Sequence, residues 1–338
     1  MAFTADTSPT TGRRLFLVSI PRTASNLLVQ VLNMHKQPNV VTNDKAGYFF
    51  QEAYILGSRH GYLYKPLSQW TDAEKDEHHS TYQRCLDDLE SYASTALDQN
   101  KILFTKEHAF WFANPAMAVP SCPSNNTPHL TFPPCFPSPH TFSPSNHTLF
   151  PDSYLASWHF AFIIRHPALA WPSMYRAMSR LGKIIGLGDD CVHAMVKAHS
   201  TFRWTRSLYD WCVEHSSAAN APIILDACDV VHSREAVVRF CEMTGLDPSK
   251  VQFSWEGEKK TGPPEGIVVI EAVKMMMETL RASKGIMTEK APREVDVAGE
   301  VEKWKGEFGE EVAAFLKHVV DETMGDYVYL RERRLRCD

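Results

Sequence analysis

Three short stretches of this chain combine cations, hydroxyls and a histidine in ways suited to handling an anion. The first is Pro21-Arg22-Thr23-Ala24-Ser25-Asn26-Leu27-Leu28, which follows an apolar run and leads into residues at helical spacing. It is therefore a strand-to-helix turn. Such a helix start offers unpaired N–H groups and a favourable dipole, and Arg22 adds charged hydrogen bonds. It is not a Walker A loop, because G-x-x-x-x-G-K-[ST] is absent. Alone, an ordinary capped turn explains it equally well. The second stretch is Lys106-Glu107-His108, whose first and third side chains share a face wherever the chain is extended. A cation beside a histidine pairs charge stabilisation with a general base. The third is Arg165-His166-Pro167, with Ser173 eight residues beyond Arg165. Singly, His108 is one of 15 histidines and Arg165 a salt-bridge partner. Together, at three strand ends of one sheet, they describe a pocket for a multiply charged anion with a histidine at its open side.

The elements that must carry these residues follow from hydrophobic pattern. Leu15 to Ile20 (LFLVSI) is the short apolar run of a buried parallel strand, stopped by Pro21. Thr23 to His35 carries Leu27, Leu28, Val31, Leu32 and Met34 at helical spacing. Lys101 to Thr105, His159 to Arg165 and Ala221 to Leu225 read as further strands. Asp72 to Leu97, Thr201 to Cys212 and Arg234 to Thr244 read as helices, the last closed by Gly245. Val301 to Thr323 reads as one more helix, with Gly325 after it. Strands alternating with helices predict an α/β fold of three layers, a mainly parallel sheet flanked by helices.

Composition narrows the partners. The chain has 338 residues and a formal charge of −5, which disfavours nucleic-acid binding through a broad basic field. No apolar run reaches the ~20 residues of a membrane helix, and Met1 to Arg14 lacks the apolar core of a signal peptide. A cytoplasmic protein with reduced thiols is expected, and its eight cysteines include no C-x-x-C pair. The triplets Asn125-Asn126-Thr127 and Asn146-His147-Thr148 have the glycosylation pattern, which has no meaning in the cytoplasm.

Ten of the 21 prolines fall between Pro115 and Pro151. From Ala109 to Pro151 there is no Asp, Glu, Lys or Arg, yet Phe110, Trp111, Phe112, Phe132, Phe136, Phe142 and Phe150 lie there. Disordered linkers are usually charged and poor in aromatics. A surface insertion and a lid over an apolar substrate are the two readings.

The ordered set of motifs resembles the sulfotransferases that use 3′-phosphoadenosine 5′-phosphosulfate (PAPS). Strand-P-R-x-x-S-x-L-L is similar to their 5′-phosphosulfate loop, and Lys106-x-His108 to their Lys-x-His. Phe162 to Pro167 with Ser173 is similar to their 3′-phosphate motif. Ile223 to Asp226 through Val237, Phe240, Cys241, Gly245 and Leu246, then Trp304 and Phe308, then Gly325-Asp326-Tyr327, resemble later family features. The resemblance implies a P-loop NTPase-like sulfotransferase fold over 1–338 as a single domain, with 109–151 inserted as a possible substrate lid. It implies sulfuryl transfer from PAPS to a hydroxyl of a small apolar or aromatic acceptor, without a metal. By the same resemblance, Arg22, Thr23, Ala24, Ser25, Asn26 and Leu27 form the 5′-phosphosulfate loop, and Arg165 and Ser173 hold the 3′-phosphate. His108 takes the acceptor proton, while Lys106 and Arg22 offset the charge that develops.

Two departures stand out. Ala24 replaces a glycine that tolerates positive φ, and the family's late R-K-G has no clean match, leaving Arg281, Lys284 and Arg293 as candidates. These departures favour an alternative, the same fold using His108 for elimination, cyclisation or isomerisation; a further alternative is a non-enzymatic binding protein using the aromatic insertion as a contact surface. A P-loop kinase ranks last, for want of the Walker lysine. The partner expected is a small-molecule acceptor, with no nucleic acid and no membrane, and homo-oligomerisation by analogy.

Overall fold

A computed structural model of the chain describes residues 12–62, 65–117, 130–136, 138–256, 277–278 and 280–337. Strand parity organises them into three layers. In β1 (Arg13–Ser19), Phe16 and Val18 enter one apolar cluster while Leu15 and Leu17 enter another on the opposite face. β2 (Val40–Val41), β3 (Ile102–His108), β4 (His159–Ile164) and β5 (Ile223–Asp226) complete a sheet of order β2-β3-β1-β4-β5, every pairing parallel. Burial on both faces explains why these strands are continuously apolar rather than alternating.

One face is covered by α1 (Ser25–Val31), α8 (Ala227–His232) and α9 (Arg234–Thr244). The other is covered by α2 (Gln51–His60), α3 (Asp72–Asp98), the short α4 (Asp152–Leu155), α5 (Pro167–Ile185), α6 (Asp189–His199) and α7 (Arg203–His215), with α10 (Val297–Phe308) and α11 (Glu310–Glu332). Thr71 caps α3 through a reciprocal capping box with Glu74, so the polar helix starts where its sequence pattern begins. α9 spans the expected residues and ends at Gly245 with φ 76°. Among the described residues no helix is long and apolar enough to cross a membrane.

The expected helix over 301–323 is in fact two. Gly309, at φ 90°, breaks it, and Gly325 lies inside α11 with open space where a Cβ would stand. The punctuating glycine is the one whose backbone conformation other residues rarely adopt. The two-residue β2 and helices α2, α4, α6 and α8 had no expectation, and α5 was expected only as a helix at or near Ser173.

Within the described part of the proline-rich segment, the chain is partly exposed but its large apolar side chains reach the interior. Leu130, Phe132, Phe136, Leu149 and Phe150 are buried in the larger cluster. Phe136 packs on Tyr154 and lies 5.6 Å from the guanidinium of Arg14, near the start of β1 and away from the His108 end of the sheet. Asn146 is buried and donates to the Phe150 carbonyl and to Asp152, each at 2.8 Å, so its triplet serves as a structural turn. Residues 118–129, with Asn125, lie outside the described residues.

Candidate active site

Parity also collects the site. Ser19 continues the Leu15–Leu17 face of β1, Lys106 and His108 the Ile102–Phe104 face of β3, and Arg165 the Ala161–Ile163 face of β4. All therefore leave the C-terminal ends of parallel strands on the side where α1 begins. Ser19 and His108 are directly opposite in the register.

The turn before α1 is wound tightly. Thr23 closes it, its hydroxyl donating to the Ile20 carbonyl at 2.7 Å and its N–H to the same oxygen at 3.2 Å. Arg22 and Ala24 are both left-handed, at φ 73° and 69°. That conformation costs a non-glycine residue roughly 1–2 kcal/mol, so Ala24 adopts the strained geometry for which glycine is suited. Leu28 N–H is the first to reach an intrahelical carbonyl, that of Ala24 at 3.0 Å. The amides of Ser25, Asn26 and Leu27 therefore face out of the helix start.

Cations converge on this turn. Arg22 Nε donates to Ser173 Oγ at 2.9 Å. Arg165 donates to the Arg22 carbonyl at 2.9 Å and to the Lys290 carbonyl at 2.6 Å. Arg165 Nε is buried without a hydrogen-bond partner among the described residues. Burial and then the neighbouring Arg22 pull the Arg165 guanidinium down to about 10, and burial and then Arg176 lower Arg22. Lys106 is fully buried; its ammonium donates to Asn26 Oδ1 and sits 4.2 Å from the centre of the Tyr48 ring. Burial lowers it to about 7, against the pull of Glu107. Three cations thus stand around one turn, each with its proton affinity lowered.

His108 is held at both nitrogens. Ser19 Oγ donates to the Glu107 carbonyl at 3.2 Å and lies 2.9 Å from His108 Nδ1. In the tautomer where the Ser19 proton goes to the Glu107 carbonyl, Ser19 accepts from Nδ1–H and the lone pair is on Nε2. Tyr48 Oη lies 3.2 Å from that Nε2. Burial first, then Lys106 and His199, hold the His108 imidazole well below its usual range, so it is neutral and able to accept a proton at pH 7. Around it stand Phe110, stacked at 6.0 Å, and Trp111, edge-on at 4.6 Å, with Tyr54 stacked on Trp111 at 4.8 Å. Behind Phe110, His199 Nδ1 meets the Met195 carbonyl and its Nε2 meets Tyr54 Oη at 3.0 Å.

Arg165 also borders a cavity of about 230 Å³ with His166, Asp226, Arg293, Tyr327 and Arg331. Of the three late basic candidates, Arg293 lines this cavity, and Arg281 and Lys284 do not. Asp226 accepts from Tyr327 at 2.8 Å, joining two features that the sequence placed a hundred residues apart.

The structure thus brings together Arg22, Thr23, Ala24, Ser25, Asn26, Lys106, His108, Arg165 and Ser173, while Leu27 packs against the apolar cluster of its own face. The guanidinium of Arg22 reaches Ser173, and the lysine beside Asn26 is Lys106. Sequence reasoning missed Ser19, Tyr48, Tyr54 and His199. Counting alternate residues from Leu15 and Leu17 would have found Ser19; Tyr48 carries no local signal.

Comparison with known proteins gives the same direction. "Sulfotransferase ppzF" of Metarhizium majus (strain ARSEF 297) is 35% identical over 350 residues, covering 98% of this chain and 100% of the relative. "Sulfotransferase ppzF" of Metarhizium rileyi (strain RCEF 4871) is 34% identical over 337 residues, covering 96% and 97%. No family model matches. A solved sulfotransferase domain from the Synechococcus PCC 7002 olefin synthase aligns over 91% of this chain at 10% identity, with a TM-score of 0.36, too low to carry an argument.

Proposed function

The chain belongs to the sulfotransferases, and from that premise we propose that it transfers a sulfuryl group from PAPS to a hydroxyl of a small apolar or aromatic acceptor. The observation that carries the reading is the gathering of Arg22, Lys106, Arg165 and Ser173 around one helix start, with neutral His108 beside them. The residues fit the donor: the amides of Ser25 to Leu27 with Arg22 and Lys106 suit the phosphosulfate, and Ser173 and Arg165, whose Nε has no hydrogen-bond partner among the described residues, suit the 3′-phosphate. Arg293 stands beside Arg165 as a further contact.

In this reading the protein's work is mostly positioning and charge. Lys106 and the loop amides stabilise negative charge shifting onto the leaving phosphate, and a donor so placed contributes ~3–4 kcal/mol. His108 accepts the acceptor's proton at Nε2, a step that contributes roughly 10²–10⁴-fold. The aromatic walls formed by Tyr54, Phe110 and Trp111 favour an apolar acceptor. The whole chain acts as one domain, and the cytoplasm suits its seven described cysteines, all unpaired.

The test is nucleotide binding. 3′-Phosphoadenosine 5′-phosphate should raise the unfolding midpoint and titrate calorimetrically at one site. His108→Ala should keep that affinity while losing roughly 10²–10⁴-fold in turnover. Absence of stabilisation at millimolar nucleotide would overturn the proposal and leave His108 as a base for elimination, cyclisation or isomerisation.

A further inference from the structure

Tyr48 occupies the position an acceptor hydroxyl would need. Its Oη lies 3.2 Å from His108 Nε2, which carries the lone pair in the tautomer where Nδ1–H meets Ser19. The same hydroxyl interacts with the side chain of Ser25, in the anion-binding turn. It therefore lies between the base and the place where the transferred group would be held.

The surrounding chain keeps it there. β2 is only two residues long, so the C-terminal half of β3 is an open edge, and residues 43–50 wrap it. Gly47 accepts from Lys106 N–H at 2.9 Å and from the Thr105 hydroxyl at 3.0 Å. A Cβ on Gly47 would stand 3.0 Å from Lys106 N, so this close approach requires glycine. On the other side of Tyr48, the Phe49 and Phe50 N–H groups donate to the Glu107 carboxylate at 2.5 and 3.0 Å. Asn43 donates to the Tyr48 carbonyl at 2.7 Å. The backbone is thus tied to three consecutive residues of β3, Thr105 to Glu107. The ring is clamped between the Lys106 ammonium, 4.2 Å from its centre, and Trp111 at 4.9 Å. Swinging it away would give up the cation–π contact, the ring contact and the hydrogen bond together.

We propose that Tyr48 stays in place during turnover and relays the acceptor's proton, its phenol receiving that proton while passing its own to His108 Nε2. This rests on the sulfuryl-transfer reading above. The acceptor oxygen forms the new O–S bond as the bond from sulfur to the 5′-phosphate oxygen breaks. That electron pair leaves with 3′-phosphoadenosine 5′-phosphate. His108 ends as imidazolium, Tyr48 ends as the neutral phenol it began as, and nothing is oxidised or reduced. Burial raises the phenol's proton affinity, so it remains an O–H donor over the working range.

The variant is Tyr48→Phe, which keeps the ring between Lys106 and Trp111 and removes only the hydroxyl. The first measurement is ¹⁵N NMR of the histidines in the full chain with 3′-phosphoadenosine 5′-phosphate, which needs no acceptor. The expected result is a His108 Nε2 resonance that moves toward that of an unbonded lone pair in the variant while Nδ1 keeps its proton. The second is steady-state transfer from PAPS to 2-naphthol. Expected is a fall in kcat of roughly 10²-fold, of the order of one lost acid–base step, with KM for PAPS within two-fold and nucleotide affinity unchanged. An unmoved Nε2 resonance, or a kcat retained or raised in Tyr48→Phe, would overturn the relay. His108→Ala separates the two claims: full activity in that variant removes the base reading itself, whereas an active Tyr48→Phe beside an inactive His108→Ala removes the relay alone.

Discussion

Arg14, at the start of β1, and Arg165, just past the end of the neighbouring β4, are in opposite electrostatic states. Arg14 is 6% exposed and forms a bidentate pair with Glu90 at 2.7 and 2.8 Å. Tyr154 donates to the same carboxylate at 2.6 Å, and the rings of Phe136, Tyr154 and Trp158 surround the guanidinium at 5.4–5.6 Å. Burial alone would lower its proton affinity, but Glu90 and Tyr154 outweigh that and raise it. Past the end of β4, Arg165 meets two carbonyls and a neighbouring cation, and its proton affinity is lowered. A buried charge is tolerable when its partner is part of the fold.

That contrast can be broken in both directions. The largest effect is expected at the closed end, where Glu90→Ala removes the bidentate carboxylate from buried Arg14 and should destabilise by about 3–5 kcal/mol in denaturant titrations. Nucleotide affinity in the surviving folded fraction should be unchanged. Arg165→Ala should do the reverse, weakening 3′-phosphoadenosine 5′-phosphate by roughly 2–5 kcal/mol in calorimetry, as loss of a desolvated charged contact does. Its stability should fall by only about 1 kcal/mol, for two carbonyls that lose donors. A large loss of stability with intact affinity would place Arg165 with Arg14 as a structural group. The smallest change is Ala24→Gly, which relieves a left-handed alanine and should stabilise by up to about 1 kcal/mol. Nucleotide affinity measured alongside shows whether closer approach of the backbone adds to it.

How much was legible depended on whether a residue's role is local. The strand ends at Pro21, His108 and Arg165 could be found because apolar runs stop there and charged residues follow at fixed spacing. α9 could be found from its amphipathic period and Gly245. Gly309 was passed over in favour of Gly325 because both interrupt an otherwise helical pattern, and only the backbone angle tells them apart. Ser19 and Tyr48 were missed for a different reason. Ser19 looks like part of a strand until its register with His108 is known, and Tyr48 reaches the site through a wrap around the β3 edge that no periodicity encodes. The aromatic residues of 130–151 were noticed as anomalous, but their attachment to Arg14, Tyr154 and α7 is a tertiary fact.

The parallel pairing of Ser19 with His108 carries a consequence for how the protein is made. Side chains alternate along β3, so a slip of one residue against β1 would turn Lys106 and His108 to the far side and present Glu107 to the anion-binding turn. In the proposed reading, a carboxylate there would repel the donor's phosphates. Misregistered chains would thus be silent rather than sluggish. Specific activity per folded molecule would then count the fraction of chains whose central strands have paired correctly.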